Sequence, residues 1–403
     1  MRIVRVANFV SEESGGLRTA LHGLGRGYLM AGHEAVLVVP GDGYSDVMTD
    51  QGRVITLPGT PTAGNRRLLV RRAPVIKLLE ELAPDRLEVS DRSTLRWTGN
   101  WARRRGIPTI MISHESLTGR WGTLPPVLAR TAVPFGDFVN RRSARDYDRI
   151  VCCTNFSAAE FERLRIDNLL RIPLGVDLEM FTPVRHSLDV RDRYAARDEV
   201  LIVYAGRLAP EKEPERVLDA LELLRAGGVP ATLVVAGSGV IRERMEKRAE
   251  ATGLPVRFLG FVHSRPDLAA LLASADITLA PGPLETFCLS ALESLACGTP
   301  VVANTEGGVS EVVGEGGVAA TGDAFVEGVR HLLALPEAER RTRARARAEE
   351  FGWAASVAEF LAAHDANSAT EPRWIRPRRA TPRNTAAAAR RRPAQRQSDN
   401  AAA

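Results

Sequence analysis

An α/β protein with two doubly wound parallel-sheet domains is what this sequence predicts, and three observations carry the prediction. Short apolar runs of strand length alternate with longer stretches of helical spacing, the pattern of βαβ units. That alternation stops at IPLGVDLEMFTP and restarts at EVLIVYAGRL. At 403 residues the chain exceeds what one compact core holds, so two domains are expected.

The elements follow in order. MRIVRVANFV reads as a first buried strand leading into the loop SEESGG, and it is too short for the apolar core of a signal peptide. LRTALHGLGRGYLMAGHE carries apolar positions at helical spacing and ends at Gly32. AVLVVP is the second strand, and RVITLP, RLEVS, PTIMISH and DRIVCCT are further strands. VIKLLEELAP is helical between them. Residues 124–147 read as a helix interrupted by Pro134 and Gly136, and NFSAAEFERL as a helix capped by Asn155 or Ser157.

In the second series EVLIVYAGRL, ATLVVAGSG, VRFLGFV, DITLAP and PVVAN are strands. ERVLDALELLRAGG, VIRERMEKRAEATG, PDLAALLASA and CLSALESLACG are the helices between them, and AFVEGVRHLLAL follows. The expected boundaries are 1–175 for the first domain and 176–350 for the second. Residues 351–363 are expected to close the chain with a helix packing back on the first domain. The Arg/Ala/Pro-rich tail 364–403 lacks periodicity and is expected to be disordered.

Composition excludes several classes. Four cysteines, two of them adjacent, make no secreted disulfide framework and point to a reducing, cytoplasmic setting. No run approaches the roughly 18 apolar residues of a membrane span. The net charge of +5 is a property of the tail: from Asp365 onward nine arginines face three acids, which leaves the other 364 residues at −1. The folded part therefore carries no general nucleic-acid signature. No CxxC or HExxH spacing suggests a metal.

Four motifs carry chemistry. Glu285 and Glu293 stand eight apart around a loop-to-helix start, a spacing expected to put both on one face. The N–H groups of Phe287, Cys288 and Leu289 at that start would favour a phosphate. A helix with one solvated Glu explains the same spacing. Arg207 follows a buried strand, and Lys212 is one of three lysines in an Arg-rich chain; together they can neutralise a diphosphate, or be two solvated cations. Gly15 and Gly16, after Ser14, form either a binding loop or a tight turn. His114 ends a buried strand, where a parallel sheet collects ligands or where a loop histidine is simply hydrogen-bonded. Gly237 to Gly239 and Gly307, Gly308 with Glu311 follow strands as weaker turn-like signals, and Phe261 and Val262 offer backbone groups to a nucleobase. Basic clusters at Arg66, Arg67, Arg71, Arg72 and at Arg141, Arg142, Arg145 suit anionic lipid headgroups or solvated faces equally.

Taken in order, these motifs resemble glycosyltransferase family 4, retaining enzymes of the GT-B fold with two Rossmann-like domains around a cleft. The resemblance covers roughly residues 1–363. It rests on the GG pair, Gly32–His33–Glu34, Gly175 to Asp177 with Phe181 and Pro183, GRL…EK, the Glu285-x7-Glu293 run into ACGTPVVA, and the later GG..E. It implies that Arg207 and Lys212 hold the donor diphosphate, Glu285 the transferred sugar and Glu293 the ribose. Gly16 would line the phosphate side and His114 would sit beside the reacting carbon. It implies a nucleotide-sugar co-substrate, with no cofactor and no required metal. Similarity to phosphatidylinositol mannosyltransferases and inositol-phosphate glycosyltransferases points to GDP-mannose and to a lipid-linked, inositol or glycan acceptor at the inner face of a membrane. UDP-glucose and UDP-N-acetylglucosamine stay open as donors. Three positions depart from the family pattern: Cys288 and Glu213 where Gly is common, and Leu174 where a polar residue is common. A sugar-nucleotide epimerase shares the architecture, and an inactive nucleotide-binding relic is the non-enzymatic rival. Retention of Arg207, Lys212, Glu285 and Glu293 favours transfer over both.

Overall fold

A computed structural model describes residues 1–10, 15–62, 66–117, 126–322 and 324–365. Ser14 and the tail beyond 365 lie outside them. The first half builds an eight-stranded sheet from β1 (Arg2–Val6), β2 (Glu34–Gly41), β3 (Ser45–Thr49) and β4 (Gly52–Pro58), with β5 (Thr60–Thr62) and β6 (Arg66–Leu68) forming a separate two-stranded ribbon. β7 (Arg86–Val89), β8 (Thr109–Ser113), β9 (Arg149–Cys152) and β10 (Leu169–Arg171) complete the sheet in the order β10-β9-β8-β7-β1-β2-β4-β3. Within this sheet every pairing is parallel except β3 with β4, and the β5–β6 ribbon is antiparallel.

The second sheet is fully parallel. β11 (Val200–Ala205), β12 (Ala231–Ala236), β13 (Val256–Gly260), β14 (Ile277–Ala280), β15 (Val301–Asn304) and β16 (Gly317–Ala320) lie in the order β13-β12-β11-β14-β15-β16.

The inner strands of both sheets are buried on both faces, which is why they read as unbroken apolar runs. In β8, Met111 joins one core cluster while Ile110 and Ile112 join another, the period of two expected of a strand. In β11, Leu201 and Val203 face one cluster and Ile202 and Tyr204 the other. The helix Trp353–Asp365 lies against the first sheet, where Val357 and Phe360 pack with Ile3, Leu24, Tyr28 and Ile112.

Three local expectations are corrected. Pro134 does not divide the 124–147 segment: one helix runs Pro126–Asp146 through it, the missing proline N–H removing a single ladder bond. The cap of the helix Asn155–Glu162 is Thr154, whose side chain accepts from the Ser157 amide while Ser157 reciprocates in a capping box. The helix Glu337–Glu349 was not expected at all, because its sequence is Arg, Glu and Ala without an apolar stripe. Ion pairs four residues apart and arginines reaching distant carbonyls hold it, Arg345 bonding Ala296 O at 2.8 Å and Phe181 O at 3.0 Å.

The crossing between the halves explains one motif. A Cβ on Gly175 would lie 2.6 Å from the Trp353 Cα, so only glycine lets the two segments meet. The Val176 amide then bonds Phe351 O at 2.8 Å, Asp177 caps the following turn through Met180 N at 2.9 Å, and Phe181 is fully buried.

Candidate functional site

In the second sheet the strand order reverses between β11 and β14, and a pocket opens at their carboxyl ends, where doubly wound sheets bind ligands. Gly206, Gly282, Lys212, Glu285, Cys288 and Ser290 line it. Lys212 Nζ and Glu285 Oε2 meet at 2.6 Å, with 22% and 19% of the two side chains exposed. Each is therefore partly desolvated yet reachable, so a ligand arriving here meets a cation and a carboxylate together.

Glu285 is not on a helix. The helix begins at Leu289, so Glu285 belongs to the loop after β14 and does not share a helical face with Glu293, as its spacing had suggested. Two polar residues that sequence reasoning missed hold that loop. Buried Asn304, at the end of β15, donates to Pro281 O at 2.8 Å. Thr286 donates to His114 O at 2.7 Å, and its own carbonyl accepts from Thr154 Oγ1 at 2.7 Å. The carboxyl edges of the two sheets thus face each other, with Thr286 between them. A third missed residue is Tyr204, whose hydroxyl bonds Arg207 O at 3.0 Å and shapes the turn after β11.

Cys288 precedes the helix in the left-handed region, φ 70°. Phe287 and Leu289 are buried side chains, Phe287 packing edge-on against Phe351, so only their backbone amides are available to a ligand. Burial and the neighbouring Glu285 push the Cys288 thiol up to about 12, which keeps it protonated at neutral pH. Glu213, the residue after Lys212, is also left-handed at φ 44°. Both departures from the family pattern thus stand where glycine has the advantage of an unhindered positive φ. The third, Leu174, is a buried core residue.

The remaining residues are distributed around this pocket. Arg207 pairs with Glu211 at 2.9 Å and is largely exposed. Glu293 is buried beneath Arg265, which donates to it at 2.7 Å and stacks over Phe181. Burial raises the Glu293 carboxyl, a rise that the Arg265 charge and hydrogen bond only partly offset. Val262 is half-buried just beyond β13. Gly15 and Gly16 are the first residues of the helix Gly15–Met30, and a Cβ at either would meet nothing within 4 Å. That helix touches the helix Leu289–Ala296. His114 is half-buried and bonds Ser90 Oγ at 3.1 Å; burial lowers its pKa to about 4, so it is neutral at pH 7.

Among the described residues no three His, Cys, Asp or Glu side chains are grouped to hold a metal ion, and no helix is long and apolar enough to cross a membrane.

Comparison with known proteins gives two family matches. Residues 15–175 match the glycosyl transferase 4-like domain, and residues 189–350 match the glycosyl transferases group 1 model. A GDP-mannose-dependent alpha-(1-6)-phosphatidylinositol dimannoside mannosyltransferase of Mycobacterium tuberculosis is 47% identical over 368 residues, covering 90% of this chain and 95% of that one. A D-inositol 3-phosphate glycosyltransferase of Mycobacterium bovis is 32% identical over 244 residues, 54% of this chain and 48% of that one. Among solved structures, sucrose-phosphate synthase from Thermosynechococcus elongatus superposes with a TM-score of 0.76 at 20% identity, covering 91% of this chain and 98% of that one. Anabaena HepE in complex with UDP-glucose superposes at 0.68 with 17% identity, covering 90% and 99%. These structures share the GT-B fold with this chain.

Proposed function

This chain belongs to glycosyltransferase family 4, and we propose that it is a hexosyltransferase moving mannose from GDP-mannose to a lipid-linked acceptor of the phosphatidylinositol mannoside class. The Lys212–Glu285 pair at the β11/β14 switch point carries the reading. The donor and acceptor class rest on the relative at 47% identity, whose length this chain covers almost completely.

In this reading Lys212 and Arg207 take the donor diphosphate, and the amides of Phe287, Cys288 and Leu289 add donors to it. Glu285 accepts hydrogen bonds from hydroxyls of the mannose, Glu293 from the ribose, and the backbone at Val262 meets the base. Gly16 leaves room for the phosphate from the first half, and neutral His114 donates or accepts at the sugar without adding charge. The bond from the anomeric carbon to the diphosphate oxygen breaks, and the acceptor oxygen bonds that carbon on the same face. The acceptor's proton goes to the departing GDP. Fixed cations stabilise the growing charge on the diphosphate, the largest contribution a site of this kind makes.

A lipid-linked acceptor places the work at the inner face of a membrane. The helix Pro126–Asp146 presents exposed Phe135 and Phe138 beside Arg141 and Arg142, with Arg142 stacked 5.0 Å over the Phe138 ring. Aromatic and basic side chains together suit an anionic interface. The other cluster is less suited, since Arg67 is paired with Asp42 and Arg72 lies over Trp97.

Calorimetry with GDP, UDP and ADP tests the donor. GDP should bind and Lys212→Ala should abolish it; tighter binding of UDP would replace the donor, and no binding of any nucleotide would overturn the nucleotide-sugar reading. Turnover of GDP-mannose with phosphatidylinositol dimannoside in vesicles tests the acceptor, and co-sedimentation with anionic vesicles tests the surface. Absence of sedimentation at low salt would remove the membrane contact.

A further inference from the structure

The GG..E segment is not among the residues assigned to the donor, yet it holds several contacts between the two halves. Gly307 and Gly308 follow β15, and Glu311 sits in the short helix Val309–Val313. The Glu311 carboxylate accepts from the Asn155 amide at 2.8 Å, from Asn155 Nδ2 at 2.6 Å and from the Phe156 amide at 2.7 Å. Those amides open the helix Asn155–Glu162 of the first half, where unpaired donors and the helix dipole both favour a carboxylate. The supply of that carboxylate by the other half of the molecule is a tertiary arrangement.

Glu311 is rigidly mounted. Arg347, from the helix Glu337–Glu349, donates to Glu311 O at 2.5 Å and to Val312 O at 2.9 Å. The glycines before it allow close approach. A Cβ on Gly308 would lie 2.5 Å from Thr286 O and 2.6 Å from Thr154 Oγ1, the two atoms that bond each other across the halves. The Gly308 amide itself donates to Glu285 O at 2.6 Å. One compact segment therefore touches the loop carrying Glu285 on one side and the start of the first-half helix on the other.

We propose that Glu311 is a positioning residue for transfer: by capping the helix Asn155–Glu162 from across the cleft, it seats the Glu285–Thr286 loop against the His114 strand end. This rests on the reading of Glu285 as the sugar-binding carboxylate. Glu311 touches neither donor nor acceptor. It acts through Gly308 and Thr286, and it sets the distance between the half that holds the diphosphate and the half that holds the acceptor. Charge-assisted bonds to two backbone amides are the stronger class of hydrogen bond, and an amide side chain replaces them poorly.

The test uses the full chain with Glu311→Ala and Glu311→Gln. Turnover of GDP-mannose should fall about tenfold in Glu311→Ala and less in Glu311→Gln, while GDP affinity stays within about twofold of the unmutated protein. Hydrogen exchange should accelerate at residues 155–157 and 285–288, with the thermal midpoint lowered by only about 2–4 °C, the loss of one helix cap. Unchanged turnover and exchange would overturn the proposal, and so would a parallel fall of turnover, GDP affinity and thermal midpoint, which marks a merely structural role. If the unmutated protein neither binds GDP nor turns over GDP-mannose, the donor reading fails instead. Exchange at 285–288 then still decides whether Glu311 seats that loop.

Discussion

Both sheets reverse their strand order once, and the two reversal points have opposite character. In the first sheet the reversal lies between β1 and β7, and side chains close it. Fully buried Asn8 donates to Asp91 at 2.9 Å and Thr94 at 2.7 Å, and accepts from the Leu69 amide at 2.8 Å. Asp91 also accepts from the amides of Ser93 and Thr94. In the second sheet the β11/β14 reversal is bordered by Gly206 and Gly282, and Lys212 and Glu285 still reach solvent. Topology makes both places eligible for a ligand. The second keeps its charged pair partly exposed to solvent, whereas at the first Asn8 and Asp91 are buried and bonded within the protein.

The largest expected effect tests that contrast directly. Lys212→Ala or Glu285→Gln should lower turnover by about 10²–10³ with little change in the thermal midpoint. Asp91→Ala should do the reverse, removing about 1–3 kcal/mol of stability by taking away the acceptor shared by Asn8 and the Ser93 and Thr94 amides, as a denaturant titration would show. Lost turnover at full stability in Asp91→Ala would break the distinction.

The next effect concerns pH. His114 titrates at 6.5 in the unfolded chain and near 4 in the folded one, so between those values the unfolded state binds the extra proton. Its contribution to stability is fully present above pH 6.5 and declines as pH falls toward about 4. His114→Asn should flatten that part of the stability profile, and a protonation step of His114 near pH 6.5 in the folded protein, seen by NMR, would contradict the burial argument.

The smallest effect sharpens the donor side. Cys288→Gly and Glu213→Gly should each raise stability by less than about 1 kcal/mol, relief of positive φ being partly offset by the greater freedom of unfolded glycine. Turnover should persist in both, and a lower thermal midpoint in either would show that the side chain matters more than the backbone.

Motif residues were legible where their reason is local. Gly32 ends the helix Gly15–Met30 at φ 80°, whereas the glycine of GVD is required by Trp353, far along the chain, and was legible only through the family resemblance. Elements with exposed or charged composition were not legible: β3 is exposed at every position, and the helix Glu337–Glu349 buries Arg340, Ala344 and Ala348. Nor were Thr286 with His114 or Glu311 with Asn155, because each pair is more than 150 residues apart in the chain.

The sequence by itself determined two α/β series and their order. Strand and helix periods repeat over a few residues, so apolar spacing reports them without any knowledge of distant partners. Tertiary structure alone decided that Glu285 stands in a loop beside Lys212, that Glu293 lies under Arg265, and that Asp91 is saturated while Glu285 is reachable. Those outcomes depend on which sheet edges face each other and on how far each polar group is withdrawn from water, and neither is encoded at short range.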